Sequence, residues 1–321
     1  MHTFLDWHSL SGQLRALSPL HVALAVAATY AGITLRAWRW KALLPTGEEA
    51  VRAPELVAPQ FTGFAAVALF GRLADLTRPV LIARRTRTPA AAQIAVYTLE
   101  RMFDLAAAAI LFSVTLALAP RHMPHHEAFV RAGSVSAAAT LFLAAIAFLL
   151  YRHGEPCAHV VSNLAAKFSL SAAERVSTRI LDVQRVFAGI RGAGALVRSL
   201  LLSLTIWGLI ASVYLETLRA FVATPQLSSV TMTATMLLLA TSLGGSLVQL
   251  PGLGWLTQIA VLTAALELLY GAPLATASAC AVLLLFTTTL CVVPGGVLAA
   301  RASGLSLRSA ARSGAEAGSD E

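Results

Sequence analysis

Five apolar runs, each long enough to cross the hydrocarbon core of a membrane, constrain this chain more than any other feature. A helical crossing of roughly 30 Å needs about 17 to 25 residues. The runs cover residues 19–38, 94–119, 134–151, 195–218 and 273–298. Only 12% of the residues are charged, against about 25% in a soluble domain. The sequence therefore predicts a multi-pass helical membrane protein and excludes soluble enzyme folds, which need a polar shell.

Two further apolar regions, residues 56–83 and 229–270, are interrupted by glycine and proline. Irregular backbone at membrane depth is tolerated only where protein or a polar cavity surrounds it. Paired interruptions in the two halves of a chain are therefore typical of a transport site. We expect an all-α membrane helix bundle whose two Gly/Pro-broken regions form an inverted-repeat-like arrangement. The alternative is that glycine and proline are simply common in membrane helices.

The basic residues indicate how the chain is oriented. With the N-terminus outside, most of the 24 lysines and arginines lie on the cytoplasmic side, as the positive-inside rule requires. Residues 56–83 then begin and end on that side, as a re-entrant hairpin or a pair of short helices, and residues 229–270 begin and end outside. The net charge of +8 is attributed to this topology, and no nucleic acid partner is expected.

We predict a single transmembrane domain over residues 1–301. Within it, residues 159–191 are a predicted amphipathic segment on the cytoplasmic side, because apolar residues recur at helical spacing after a capping box at Ser171 and Glu174. Its basic face suits anionic lipid, and packing on neighbouring helices is the alternative. Residues 302–321 are rich in serine, glycine, alanine and charge and are predicted to be a disordered tail.

Three charged residues, Glu100, Arg101 and Asp104, lie inside the span 94–119. A charged side chain at the centre of a membrane helix costs about 2.5 to 3.5 kcal/mol, so such residues indicate a functional site. Glu100 and Asp104 share one helix face and repel each other unless a cation lies between them. The nearest cations in the sequence are Arg72 and Arg78 of the first broken region.

The functional interpretation of these charges is a polar chamber. Its arginines would bind an anionic head group, and its carboxylates would orient that group or exchange protons. The alternative is a buried ion-pair network that only locks the broken region in place. Trp38 and Trp40, interleaved with Arg36, Arg39 and Lys41, are interpreted separately, as an anchor at the cytoplasmic interface.

Metal and cofactor sites are not expected. The three cysteines have neither disulfide nor metal-ligand spacing. His122, His125 and His126 beside Glu127 are interpreted as a polar loop rather than a metal site. The motifs of nucleotide-binding and hydrolytic enzymes do not occur in the sequence.

Four stretches resemble, in order and spacing, the transmembrane region of lysylphosphatidylglycerol synthases and the related stand-alone flippase-like membrane proteins. They are LRAWRWKALL (35–44), GRLADLTRPVLIARR (71–85), LERMFDL (99–105) and LPGLGWLTQIA (250–260). The resemblance covers about residues 20–300. Together with the broken regions, it gives the candidate site residues Arg72, Asp75, Arg78, Glu100, Arg101, Asp104, Pro251, Gly252 and Gly254.

The chain also departs from the family pattern. Residues 1–17 are too short and polar to form the family's first helix, which favours an outside N-terminus. Thr257 and Gln258 stand where relatives have a glutamate, so proton coupling through that position is not expected. No soluble aminoacyl-transferase domain follows residue 301, and the resemblance therefore implies only the lipid-translocating part, without synthase activity.

The resemblance implies a flippase or transporter of a lipid or lipid-linked precursor in the bacterial cytoplasmic membrane, and not an enzyme. Its partner would be an anionic or isoprenoid-type lipid. One alternative is a non-transporting membrane partner of a lipid-modifying enzyme or glycosyltransferase. Another is an intramembrane enzyme that transfers lipid.

Overall fold

The computed structural model describes most of the chain, and every regular element in the described part is a helix. The described residues are 12–13, 15–44, 51–71, 74–118, 126–127, 130–142, 145, 156, 162, 192–247 and 254–303. The predicted fold class, an all-α polytopic membrane bundle, is confirmed. Several predictions fall outside the described residues: those on Arg72, Pro251, Gly252, the tail after residue 303, and all of segment 159–191 but residue 162.

The helices follow the apolar runs of the sequence. In chain order they are α1 (Pro19–Leu43), α2 (Ala53–Phe70), α3 (Thr77–Thr86), α4 (Ala90–Ala117), α5 (Gly192–Arg219), α6 (Pro225–Ser228), α7 (Met232–Leu247), α8 (Gly254–Tyr270), α9 (Leu274–Leu285) and α10 (Val292–Ala302). A π-helical turn, Phe286–Leu290, joins α9 to α10. Residues 130–142 are also helical.

Four segments of the described part are long and apolar enough to cross a membrane. They are Pro19–Leu43, Ala53–Phe70, Gly194–Arg219 and the combined Leu274–Ala302. Helix α4 has 28 residues and carries the three charged residues of the span 94–119. Helix α8 is apolar and shorter, with 17 residues.

The first broken region, residues 56–83, folds as two helices, α2 and α3. Helix α2 ends at Phe70, and Gly71 follows with φ of +75°, a conformation that glycine adopts without steric cost. The Gly71 N–H donates to the carbonyl of Val67 at 2.8 Å and so satisfies the helix end. In the second region, α7 ends at Leu247 and α8 begins at Gly254.

The chain divides into two compact units. Unit 1 comprises Met1–Ala37, Pro54–Arg87 and Thr205–Glu321, and unit 2 comprises Trp38–Ala53 and Thr88–Leu204. Helices α1 and α5 contribute residues to both units. Each unit contains a buried arginine site of its own.

The core of unit 1 packs α1, α2 and α10 closely. Ile33, Phe61, Cys291 and Val292 are buried together. A Cβ atom added at Gly296 would lie 2.6 Å from the carbonyl oxygen of Phe61 and would also overlap Ala65. Only glycine therefore fits where α10 meets α2.

The π-helical turn of unit 1 is held by side chains of α1. A π turn shifts the backbone hydrogen-bond register and leaves carbonyl groups that need other donors. Thr29 donates to the carbonyl of Thr287 at 2.7 Å, and the Tyr30 hydroxyl donates to the carbonyl of Cys291 at 2.9 Å. The Cys291 thiol also donates to the carbonyl of Thr287, so side chains of α1 and of the turn itself satisfy these backbone groups together.

Candidate functional site

Unit 2 contains a buried ion-pair network centred on Arg39. The two terminal nitrogens of Arg39 donate to Asp104 and Glu100, each at 2.5 Å, and one also donates to the hydroxyl of Ser203 at 2.8 Å. Arg39 and Glu100 are fully buried and Asp104 is 5% exposed. Because Glu100 and Asp104 are four residues apart on α4, both face the same guanidinium group. Arg39 thus supplies the cation for which the sequence suggested Arg72 and Arg78.

Arg101 borders the same network from a more exposed position. Its guanidinium lies 3.2 Å from Asp104 and 3.5 Å from Glu100, and its side chain is 41% exposed. It also stacks on the ring of Tyr97, with 5.1 Å between the guanidinium carbon and the ring centroid. The network of unit 2 therefore pairs two arginines with two carboxylates.

The interpretation of Arg39 and Trp40 as an interfacial anchor is wrong, because both side chains are fully buried. The Trp40 indole N–H donates to the side-chain oxygen of Gln93 at 2.8 Å, and the Gln93 amide donates to Thr88 at 3.0 Å. Trp38 is 43% exposed. The aromatic and basic pattern of this stretch therefore serves the interior of unit 2 as well as its surface.

Unit 1 contains a second buried arginine, Arg78, in the first turn of α3. Its side chain is about fully buried and donates to the side-chain oxygen of Gln60 at 3.3 Å. Asp75, whose side chain is 39% exposed, lies 3.8 Å away. The guanidinium carbon of Arg78 lies 4.5 Å from the centroid of the Phe64 ring, within cation–π distance.

Arg36 of α1 contacts the same aromatic ring. Its guanidinium carbon lies 5.1 Å from the Phe64 centroid, and the residue is 8% exposed. Two buried guanidinium groups therefore share one phenylalanine in unit 1. A ring attracts a cation through its quadrupole, whereas oxygen acceptors are recognised by the N–H donors at the guanidinium edge.

The packing around Arg78 depends on a glycine. A Cβ atom at Gly63 would overlap the Arg78 side chain and lie 3.2 Å from its backbone Cα. Gly63 therefore lets α2 approach α3 closely enough for Arg78 to reach Gln60.

Gln60 carries a buried donor that the described residues do not satisfy. The residue is fully buried, and its Nε2 has no hydrogen-bond acceptor in the described part of the chain. Its side-chain oxygen faces Arg78, which determines the orientation of the amide. A buried, unsatisfied N–H group costs about 1 to 3 kcal/mol. The site around Arg78 therefore has a donor available for an oxygen ligand.

The structure brings the predicted residues together in two groups. Glu100, Arg101 and Asp104 meet in unit 2, and Asp75 and Arg78 meet in unit 1. Gly254 is the first residue of α8. In the described part of the chain, no group of three or more histidine, cysteine, aspartate or glutamate side chains could hold a metal ion.

Sequence reasoning did not identify five of the residues that build these sites: Arg36, Arg39, Gln60, Phe64 and Ser203. The first two were assigned to the interfacial anchor, and the others lie in apolar helices. A signal for Arg39 was available, because a basic residue at the end of the apolar run 19–38 is a candidate for the cation that Glu100 and Asp104 require.

A family model described as the lysylphosphatidylglycerol synthase TM region matches residues 2–296. Among the curated proteins and the solved structures compared with this chain, none matches. The predicted family is confirmed over nearly the whole chain. The protein is a multi-pass membrane protein of lipid-related function that belongs to the family of lysylphosphatidylglycerol synthase transmembrane regions.

Proposed function

We propose that this protein is a flippase, or a transporter of a lipid-linked precursor, that acts in the bacterial cytoplasmic membrane without enzyme activity. The observation that supports this function most is the buried site of unit 1, where Arg36 and Arg78 share the ring of Phe64. We call this group, together with Gln60, the Phe64 site.

The Phe64 site suits the phosphate group of a lipid. A guanidinium presents a planar fork of donors that matches two phosphate oxygens at once. Arg36 and Arg78 supply such forks in a setting with little water, where electrostatic attraction is stronger than in bulk solvent. The unsatisfied Nε2 of Gln60 adds a neutral donor.

The backbone around the Phe64 site also suits transport. Arg78 lies in the first turn of α3, the helix that follows the break at Gly71, and breaks of this kind recur beside substrate sites in transporters. The ligand expected here is an anionic or isoprenoid-type lipid that carries phosphate, because the site offers donors where α3 meets α2, a helix long and apolar enough to cross a membrane.

One observation favours the alternative of a non-transporting membrane partner for a lipid-modifying enzyme or glycosyltransferase. The network of unit 2 satisfies its own charges, since Arg39 contacts both Glu100 and Asp104 directly. Such a network can hold helices together without any ligand. A protein whose buried charges all served this purpose would need no translocation activity.

Reconstitution into liposomes separates the two functions. The purified protein is incorporated into liposomes that contain fluorescent phosphatidylglycerol, and a membrane-impermeant quencher reports how fast the inner-leaflet lipid reaches the outside. A transporter exchanges the protected lipid faster than protein-free liposomes do. If the translocation rates of both phosphatidylglycerol and an isoprenoid phosphate equal those in protein-free liposomes, the flippase function is refuted and the partner function is favoured.

A further inference from the structure

Unit 1 contains a cavity of about 200 Å³ beside the Phe64 site. It lies between α2, α3 and the end of α10 and is lined by Pro59, Thr62, Leu81, Arg84, Arg85 and Ser303. Arg84 and Arg85 are exposed, in the last turn of α3. We call this group the α3 groove.

The lining of the α3 groove has two chemically different parts. Arg84 and Arg85 contribute two guanidinium groups to the lining, and Thr62 adds a hydroxyl. Pro59 and Leu81 form an apolar wall, and both are buried. Arginine forks suit phosphate oxygens, whereas the apolar wall suits the carbon atoms esterified to a lipid phosphate.

The position of the α3 groove relates it to the Phe64 site. Arg84 lies about 9 Å further along α3 than Arg78, since a helix rises 1.5 Å per residue. Helix α2 borders both places, because Thr62 lines the groove and Gln60 contacts Arg78. The positive-inside distribution predicts that Arg84 and Arg85 lie on the cytoplasmic side.

We infer that the α3 groove binds the phosphate of an anionic membrane lipid at the cytoplasmic side, before the lipid reaches Arg78. The passage of the lipid from the groove to Arg78 rests on the proposed function, whereas the binding in the groove does not. Arg84 and Arg85 hold the phosphate, Thr62 offers a hydroxyl, and Pro59 and Leu81 contact the adjoining carbons.

A simpler explanation of Arg84 and Arg85 is that basic side chains are favourable at the end of any helix and at any cytoplasmic surface. Arg301 tests this explanation, because it is also exposed and lies in the last turn of α10 without lining the groove. Arg85→Gln and Arg301→Gln each remove one exposed charge from a helix end. Only the first removes a group of the groove.

The experiment measures the binding of fluorescent phosphatidylglycerol to the purified full-length protein in detergent, with the unfolding temperature recorded for each variant. Arg85→Gln should weaken binding about tenfold, because a charge-assisted hydrogen bond to phosphate is lost. Arg301→Gln should leave the affinity within about twofold of the wild type. Equal affinities of the two variants would overturn the inference.

A second variant blocks the groove without changing its charge. Ser303 is exposed at the rim, so Ser303→Trp places a large ring over the cavity with little effect on folding. It should weaken lipid binding by a factor similar to that of Arg85→Gln. Unchanged binding would show that Arg85 acts through its general charge, and the groove would be rejected as the site.

Competition distinguishes a lipid phosphate from a free anion. Unlabelled phosphatidylglycerol should displace the probe at least tenfold better than inorganic phosphate or phosphatidylcholine at equal concentration. Equally effective inorganic phosphate would overturn the assignment to lipid. Groove-dependent binding in a protein that moves no lipid would uphold binding in the groove and refute the proposed transport. Transport unaffected by Arg85→Gln and Ser303→Trp would uphold the proposed transport and refute the groove as its first site.

Discussion

The buried arginine sites of the two units differ in what surrounds each guanidinium group. In unit 2, Arg39 contacts the carboxylates of Glu100 and Asp104 directly, at 2.5 Å. In unit 1, Arg78 stacks on Phe64 and lies 3.8 Å from the half-exposed Asp75. Arg39 is matched by two buried carboxylates, whereas Arg78 has one half-exposed carboxylate, the Gln60 oxygen and a ring that it shares with Arg36.

Under the proposed function, this difference separates charges that hold the fold from charges that bind lipid. Breaking a buried ion pair leaves an uncompensated charge and destabilises the fold. A guanidinium on an aromatic ring faces an uncharged group there, and its planar fork suits the oxygens of a phosphate. We therefore expect substitutions in the Arg39 network to affect stability first and substitutions in the Phe64 site to affect lipid handling first.

The largest effect is expected for Arg39→Met. It leaves Glu100 and Asp104 without their central cation and should lower the free energy of unfolding by about 3 to 5 kcal/mol. Denaturant unfolding in detergent measures this change. The triple variant Arg39→Met, Glu100→Gln, Asp104→Asn also removes the two negative charges and should recover much of the lost stability. A single variant as stable as the wild type would contradict the structural role of the network.

Gly63→Ala tests how closely the Phe64 site is packed. The added Cβ overlaps Arg78, so α2 or Arg78 must move, at a cost of about 1 to 3 kcal/mol. Gly208→Ala is the control, because a Cβ there meets nothing within 4 Å, and alanine favours a helix over glycine by about 1 kcal/mol. Thermal unfolding of both variants checks the prediction, which would fail if they were equally stable.

Gln60→Glu tests the unsatisfied donor. The change keeps an oxygen acceptor for Arg78 and replaces the unpaired Nε2 with a negatively charged oxygen, which repels phosphate. Lipid translocation should fall about tenfold, equivalent to about 1.4 kcal/mol, while the folded state is retained through the new pair with Arg78. A liposome assay with matched amounts of protein measures the rate. Undiminished translocation would exclude a phosphate ligand at this position.

The smallest effect is expected for Arg101→Gln, which serves as the matched control for Arg39. Arg101 touches the same two carboxylates at 3.2 and 3.5 Å, but its side chain is 41% exposed. Water screens such a pair, so the loss should stay within about 1 kcal/mol. Denaturant unfolding of Arg101→Gln and Arg39→Met under the same conditions compares the two losses of stability. A loss as large as that of Arg39→Met would show that burial does not separate the two arginines.

The fold class could be predicted because its signal is local. Apolar runs of sufficient length dictate helices wherever the backbone must satisfy its own hydrogen bonds in lipid. The break after α2 was likewise visible as Gly71 before a charged stretch. The inverted-repeat-like arrangement and the single transmembrane domain stay predictions, because they concern relations between distant segments.

The composition of the sites could be predicted only in part, because contacts between distant residues leave no local signal. Charge in an apolar span identified Glu100, Asp104 and Arg78 as candidates. Arg39 was missed because its partners lie 61, 65 and 164 residues away, while its immediate neighbours resemble an interfacial anchor. Gln60 and Phe64 were missed because the sequence around a neutral residue in an apolar helix does not indicate that an arginine from another helix contacts it.

The most direct test compares Arg78→Lys with Arg39→Lys in one preparation, with lipid translocation and unfolding temperature measured for each. Lysine keeps the charge and loses the bidentate fork. Arg78→Lys should translocate lipid about tenfold more slowly at an unchanged unfolding temperature. Arg39→Lys should unfold at a lower temperature and keep its rate per folded molecule. A stably folded Arg78→Lys protein that translocates lipid at the full rate would contradict a head-group role for the Phe64 site.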